Sequence, residues 1–228
     1  FANGSFPLGT LAVNVVGLHR NGYSAEDGGG IYNLGTLTVH ASTLSENTAG
    51  DGAGIYSIGV AATATVDGST LSENSASKNG GGVYNTGTLT VAGGSTLSGN
   101  SASSSTGGGG GMGPGGASAG DPVGNAGLGG GAGGGPPNRA LGAGGVGRGI
   151  LGAGTLVVTE GSVLSRNTAS NGGGIYNGGT LTVDGSTVSD NSATNFGGGI
   201  RSEGALTVTQ SILSRNAAAV RGGGSYTT

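Results

Sequence analysis

The groups with which this chain could do chemistry are eleven acidic residues, two histidines and eight basic residues. Glu46 and Glu73 fall at the same place in two successive copies of a repeat. Arg20, Arg166, Asp190 and Arg215 occupy that place in other copies. If the copies stack, Arg20 meets Glu46 and Asp190 meets both Arg166 and Arg215. Surface ion pairs of this kind contribute little each. Glu46 beside Glu73 is read as a tolerated surface repulsion in preference to an acid or metal site. His19 and His40 would approach each other across one copy, but no third ligand lies near them, so a zinc site is not expected. Acid–base cleavage of polysaccharides needs carboxylates converging on one groove, whereas the acidic residues here fall mostly one by one in turns. No Gly-x-Ser-x-Gly elbow occurs, and the only lysine, Lys78, does not end a phosphate loop. The expectation is no catalytic residue, no cofactor and no metal.

Two outward-facing columns carry the remaining binding chemistry. Tyr32, Tyr56, Tyr84, Tyr176 and Tyr226 share one repeat position, interrupted by Leu151 and Arg201. An outward tyrosine ladder could stack on sugars, or could simply cover the sheet and stack on itself. Thr36 with Thr38, Thr63 with Thr65, Thr88 with Thr90 and Thr180 with Thr182 form a Thr-x-Thr face. Such a face suits ice, but threonine is also an ordinary exposed strand residue. Ala12, Val157 and Ala205 break the array.

What must position these residues is a repeat. Glycine makes up 58 of 228 residues and charged residues only 8%, yet apolar residues reach 33% and recur at fixed spacing. That recurrence argues against the disorder a glycine load of this size otherwise signals. The net charge is −3 and the basic residues are scattered, so no nucleic-acid surface is expected. No cysteine is present, which excludes disulfides. No apolar stretch is long enough for a membrane helix.

Copies begin at Gly28, Gly52, Gly80, Gly147, Gly172, Gly197 and Gly222, with steps of 24, 28, 67, 25, 25 and 25 residues. A partial copy precedes them, with Thr10-Leu11-Ala12-Val13 and Leu18-His19-Arg20-Asn21. Each copy holds three short alternating runs, Gly-Ile-Tyr-Asn, Thr-Leu-Thr-Val and Ser-Thr-Leu-Ser, which is strand periodicity. Glycine and asparagine between the runs supply the left-handed backbone of sharp corners. The stretch from Thr48 to Asp51 is read as a short turn. These features predict an all-β fold, a right-handed parallel β-helix with three short strands per coil of about 25 residues. The whole of 1–228 is one such domain. Seven to eight turns give a rod roughly 35–40 Å long.

Stacking predicts columns. Ile31, Ile55, Val83, Ile150, Ile175 and Ile200 form one inner column. Leu37, Leu89, Leu156, Leu181 and Leu206 form a second, with Ala64 as a small exception. Leu44, Leu71, Leu97, Leu164, Val188 and Leu213 form a third. Asn47, Asn74, Asn100, Asn167, Asn191 and Asn216 mark one corner, where their amides can hydrogen-bond from coil to coil as a structural ladder.

These motifs resemble the repeats of polymorphic outer-membrane proteins, which pair Gly-Gly-Ala-Ile with Phe-x-x-Asn. The matching residues are Gly29-Gly30-Ile31 and Leu44-Ser45-Glu46-Asn47, with counterparts in the later coils. Leucine or valine stands here where that family has phenylalanine. The resemblance implies a right-handed parallel β-helix and an exported, cell-surface setting. It implies nothing about a ligand.

Residues 107–146 interrupt the stack. Half of them are glycine, and Pro114, Pro122, Pro136 and Pro137 lie among them. Two readings stand: a flexible surface loop, or extended segments that make lateral contacts between molecules. The sequence opens on Phe1, so either a signal peptide has been removed or the chain is an excerpt. Neither end carries a polar cap, and Tyr226 and Phe6 hold equivalent positions. One molecule's tail can therefore continue into the next molecule's head through Phe1, Phe6, Leu8, Leu11, Tyr226 and Thr227. The expected role is a secreted, non-enzymatic structural protein of the bacterial cell surface or extracellular matrix that polymerises head-to-tail. Its partners would be copies of itself. The alternatives are an adhesin segment that binds glycans and an ice-binding protein.

Overall fold

The computed structural model describes residues 10–14, 17–21, 26–102, 150–152 and 154–228. Every regular element in them is a strand. One coil runs through Ile31–Asn33, Thr36–His40, Thr43–Ser45 and Thr48–Asp51 before Ile55–Ser57 begins the next. Each strand pairs in parallel with its counterpart one coil later, as Ile31 with Ile55, Thr36 with Thr63 and Leu44 with Leu71. The result is a β-solenoid of four sheets, three of seven strands and one of six.

The sequence predicts three strands per coil, and the structure has four. The fourth is Thr48–Asp51, with its counterparts Ser75–Asn79, Ser101–Ala102, Thr168–Asn171, Ser192–Phe196 and Ala217–Ala218. Its inward residues are alanines: Ala49, Ala76, Ala102, Ala169 and Ala193 are all buried. A single methyl per coil is too little apolar signal to stand out from a polar turn. The small side chains also let this wall lie close to its neighbours, where Ala49, Ala53, Ala76 and Ala102 form a separate small cluster.

The three aliphatic columns stand as expected. Isoleucine follows isoleucine or valine from Ile31 to Ile200, and leucine follows leucine from Leu44 to Leu97 and on to Leu164. Ala64 does fill the second column between Leu37 and Leu89. With a fourth row of Val39, Val66, Val91, Val158 and Val183 they form one continuous core. Alternation explains it: in Thr36–His40 the burial pattern places Leu37 and Val39 inside and Thr36 and His40 outside.

Differences in coil length are absorbed away from that core. Ile55 to Thr63 spans three residues more than Ile31 to Thr36, and the excess forms a turn with Val60 81% exposed. The alanine sheet takes up the rest through register shifts between Ala76 and Asn79 and between Ala169 and Asn171. The corner after that sheet needs glycine for two reasons. Gly52 has φ +59°, and a Cβ on Gly54 would lie 2.4 Å from the Gly82 carbonyl oxygen of the next coil.

Residues 107–146, Phe1, Phe6 and Leu8 lie outside the described residues.

Leu97 is fully buried in the third column and Thr88 is exposed on the threonine sheet. Leu97→Ala therefore loses about 2–5 kcal/mol of stability, while Thr88→Ala changes it by less than about 0.5 kcal/mol. Urea denaturation followed by far-UV circular dichroism checks both.

Candidate functional site

Among the described residues the asparagine ladder is the most completely bonded polar feature. Asn74 shows the pattern. Its Oδ1 accepts from the backbone N–H of Asn47 at 3.1 Å and from Asn47 Nδ2 at 2.9 Å. Its Nδ2 donates to Asn100 Oδ1 at 2.9 Å and to the Leu44 carbonyl oxygen at 3.0 Å. Two donor hydrogens and two acceptor sites are all that a carboxamide has, so the group is saturated. Asn100, Asn167 and Asn191 repeat the scheme, and Asn216 ends it by donating to the Val188 carbonyl. Asn47, Asn74, Asn100 and Asn167 are fully buried.

This geometry explains the Leu-x-x-Asn motif. The leucine side chain enters the core while its carbonyl oxygen receives the asparagine of the next coil. Between them the backbone turns through the left-handed region at Glu46 (φ 56°), Glu73 (φ 53°), Arg166 (φ 55°), Asp190 (φ 57°) and Arg215 (φ 51°). The structure also adds a member that the sequence reading left outside the ladder. Asn21 donates through its N–H and its Nδ2 to Asn47 Oδ1, each at 3.0 Å.

A second ladder was hidden within the Ser-Thr-Leu-Ser run. The Ser42 N–H donates to Ser69 Oγ at 3.0 Å, the Ser69 N–H to Ser95 Oγ at 3.1 Å and the Ser186 N–H to Ser211 Oγ at 3.1 Å. Each hydroxyl bonds back to nearby carbonyls, as Ser69 does to Asp67 and Val39. Its sequence signal was present: Ser42, Ser69, Ser95, Ser162, Ser186 and Ser211 each stand immediately before the strand of their copy, and only the first partial copy, with Val16, lacks one.

The charged column resolves largely as expected. Arg20 Nε donates to Glu46 Oε2 at 2.6 Å, and Arg215 grips Asp190 with two bonds of 2.6 and 2.9 Å. That grip, with the nearby charge of Arg166, holds the Asp190 carboxyl below its ordinary range. The Glu46 and Glu73 carboxylates point different ways. Glu46 turns to Arg20, whereas Glu73 lies over Gly99, where a Cβ would meet its Oε1 at 2.1 Å. The two histidines do not meet. His19 Nδ1 bonds Ser45 Oγ, and His40 Nδ1 bonds Asp67 Oδ2 at 2.8 Å. Among the described residues no three His, Cys, Asp or Glu gather into a metal-binding group.

The tyrosine column faces away from the aliphatic core, but the description of it as an outward ladder needs correction. Tyr56, Tyr84 and Tyr176 are 6%, 1% and 2% exposed and form a second apolar cluster with Leu151. Tyr32 and Tyr226 alone of the five are half-buried. Alternation gives the side of the sheet a residue lies on, and burial on that side depends on what else packs there. Tyr32, Tyr56 and Tyr84 stack on one another, with ring centroids 5.1 and 4.9 Å apart. Arg201 continues the column, its guanidinium 5.2 Å from the Tyr176 ring and 5.4 Å from the Phe196 ring. Tyr226 stacks on Phe196 at 5.0 Å. Leu11 packs against the core within its own chain, and Thr227 is exposed. On the threonine sheet Thr36, Thr63, Thr88, Thr155 and Thr180 lie exposed, and Thr63 Oγ1 donates to Thr36 Oγ1 at 3.2 Å.

Among the described residues one carboxyl is buried. Asp51 is 5% exposed, its Oδ1 accepts from Asn79 Nδ2 at 2.9 Å, and it stacks on Asp27 of the preceding coil. Burial pushes its pKa up to about 6, and Asp27 adds to the rise. Burial likewise raises Asp27 and the Tyr56 phenol. No family model, curated protein or solved structure matches the chain.

Asn100→Ala removes the acceptor from Asn74 N–H and Nδ2 and the donor from the Leu71 carbonyl. The expected loss is about 2–4 kcal/mol. Arg215→Ala, at a solvent-exposed pair, leaves the denaturation midpoint unchanged within error. Urea titrations of the two variants beside the parent protein make the comparison.

Proposed function

We propose that this chain is a non-enzymatic structural rod of the bacterial cell surface or extracellular matrix, built to be extended by stacking. The observation that carries the reading is the asparagine ladder. A polar group that bonds only upward and downward to its own copies serves continuity along the axis, and it leaves no valence for a ligand. The serine ladder does the same at another corner. An exported setting fits a fold held without disulfides and with hydroxyl-rich outer faces.

Stacking can extend beyond one molecule. The last described coil turns Val208 and Ile212 to solvent, 39% and 60% exposed, while Leu11, Val13 and Leu18 at the other end are half-buried. Either a further coil or a second copy covers such surfaces. The strand Thr10–Asn14 carries the same Leu-x-Val pattern that follows Leu181–Val183 in register at Leu206–Val208. Where no further coil of the same chain follows, a second copy presents a strand of the right pattern to that edge and continues the sheet head-to-tail. Sugar stacking on the tyrosine column is disfavoured, because its middle members are buried.

Negative-stain electron microscopy across a concentration series tests assembly. The expected result is filaments whose length grows with concentration and whose width stays that of one solenoid. Short discrete rods at every concentration exclude the head-to-tail contact.

A further inference from the structure

The junction between the coil of Ile31 and the coil of Ile55 carries an unusual set of charges. On one side Asp27 and Asp51 occupy successive rungs of a parallel bridge. Their backbones are joined there, with the Gly28 N–H donating to the Asp51 carbonyl and the Asp51 N–H to the Glu26 carbonyl, both at 3.0 Å. Asp51 is buried and Asp27 half-buried. The next rung of the same column is uncharged, since Asn79 pairs with Asp51; further on Asn171 pairs with Phe196, and Arg221 follows only at the far end. On the threonine sheet the same two coils are joined by His40 and Asp67, 2.8 Å apart.

The aspartate contact responds to protons. Asp51 is buried beside the half-buried Asp27, so the two carboxyls do not readily ionise together, and protonation of Asp51 relieves the repulsion. The groups facing the aspartate pair do not cancel it. Glu26 adds negative charge beside Asp27, the exposed Lys78 offsets both carboxyls in part, Asn79 donates two neutral hydrogen bonds to Asp51, one from its side chain and one from its backbone, and the nearby Tyr56 phenol stays un-ionised.

We propose that this junction is a proton-operated latch: protonation of the buried Asp51 lets Asp27 pack over it and holds the coil of Ile31 onto the rod, and loss of that proton loosens it. A loosened coil bares the edges of Ile55–Ser57 and Thr63–Asp67, the kind of parallel strand edge on which another strand can pair. The device is a property of the folded chain and does not rest on the assembly reading.

The sign follows from burial. Asp51 holds its proton in the folded state up to about pH 6, above its ordinary value of 3.8. The resulting stability is complete below the ordinary value and is lost as pH rises through about 6. Amide hydrogen exchange by NMR, corrected for intrinsic rates, reads the latch directly. The reporters are Gly28, Gly30 and Ile31, whose N–H groups donate to Asp51, Ala53 and Gly54 across the junction. The controls are Ile175 and Ile200, which make the equivalent bonds near the other end.

Between about pH 5 and about pH 7.5, protection of the three reporters should fall about tenfold or more, with the controls unchanged. Asp51→Asn should keep the low-pH protection at both pH values, since asparagine already occupies this column at Asn79 and Asn171. Equal loss of protection at all five amides, no loss at the reporters, or the same pH dependence in Asp51→Asn would each overturn the proposal.

Discussion

Everything in this molecule depends on equivalent residues of successive coils lying directly over one another. The asparagine ladder enforces that superposition most strongly. A buried carboxamide costs stability unless all four of its hydrogen-bonding positions are met. Here they are met only by the neighbours above and below: the next asparagine, the preceding asparagine and the leucine carbonyl one coil back. A slip of one residue would break four bonds per coil and would also turn the aliphatic columns outward. Hydrophobic burial supplies the bulk of the driving force, and the ladder selects one register from those the leucines alone would accept.

That division of labour explains where variation is tolerated. From Ile31 to Ile200 the inner columns change only among Ile, Val, Leu and Ala, with Ala64 accommodated between two leucines, and Ser225 enters only in the last coil. Coil length changes more freely, because turns and the alanine sheet absorb it outside the core. The left-handed corner residue before each asparagine is free to be Arg, Glu, Asp or Gly, since its side chain projects to solvent and only its backbone matters. Ion pairs such as Arg215 with Asp190 have grown up on that column without becoming essential to it.

The parts of the fold legible in the sequence were those written in large apolar residues at period two. Leu37 with Val39 and Leu44 with its following Asn47 declared both strands and stacking. The fourth strand was not legible because Ala49, Ala76 and Ala102 bury only a methyl each. The serine ladder escaped because Ser42 and Ser69 read as the polar beats of an alternating strand, while the structure places them at a corner with buried hydroxyls. Tyr56, Tyr84 and Tyr176 were assigned to the correct side of their sheet, but alternation cannot say that this side is covered. Of the opposite charges predicted to meet across coils, Arg20 with Glu46 and Arg215 with Asp190 form ion pairs, while Arg166 acts on Asp190 only through its nearby charge. The two histidines, predicted to approach, found a serine and an aspartate instead. The aspartate pair at Asp27 and Asp51 directly precedes the opening glycines of two copies, Gly28 and Gly52, but the sequence does not say that this position is buried.

The asparagine side chains themselves give the most direct measurement of the central claim. Their Nδ2 hydrogens are resolvable by NMR, and their exchange with solvent reports whether each amide is bonded within the rod. The account requires the carboxamides of Asn74, Asn100, Asn167 and Asn191 to exchange as slowly as the core backbone N–H groups, because each is held between its neighbours. Exchange at the rate of free, solvated asparagine at these four positions would contradict the stacked ladder, and with it the architecture.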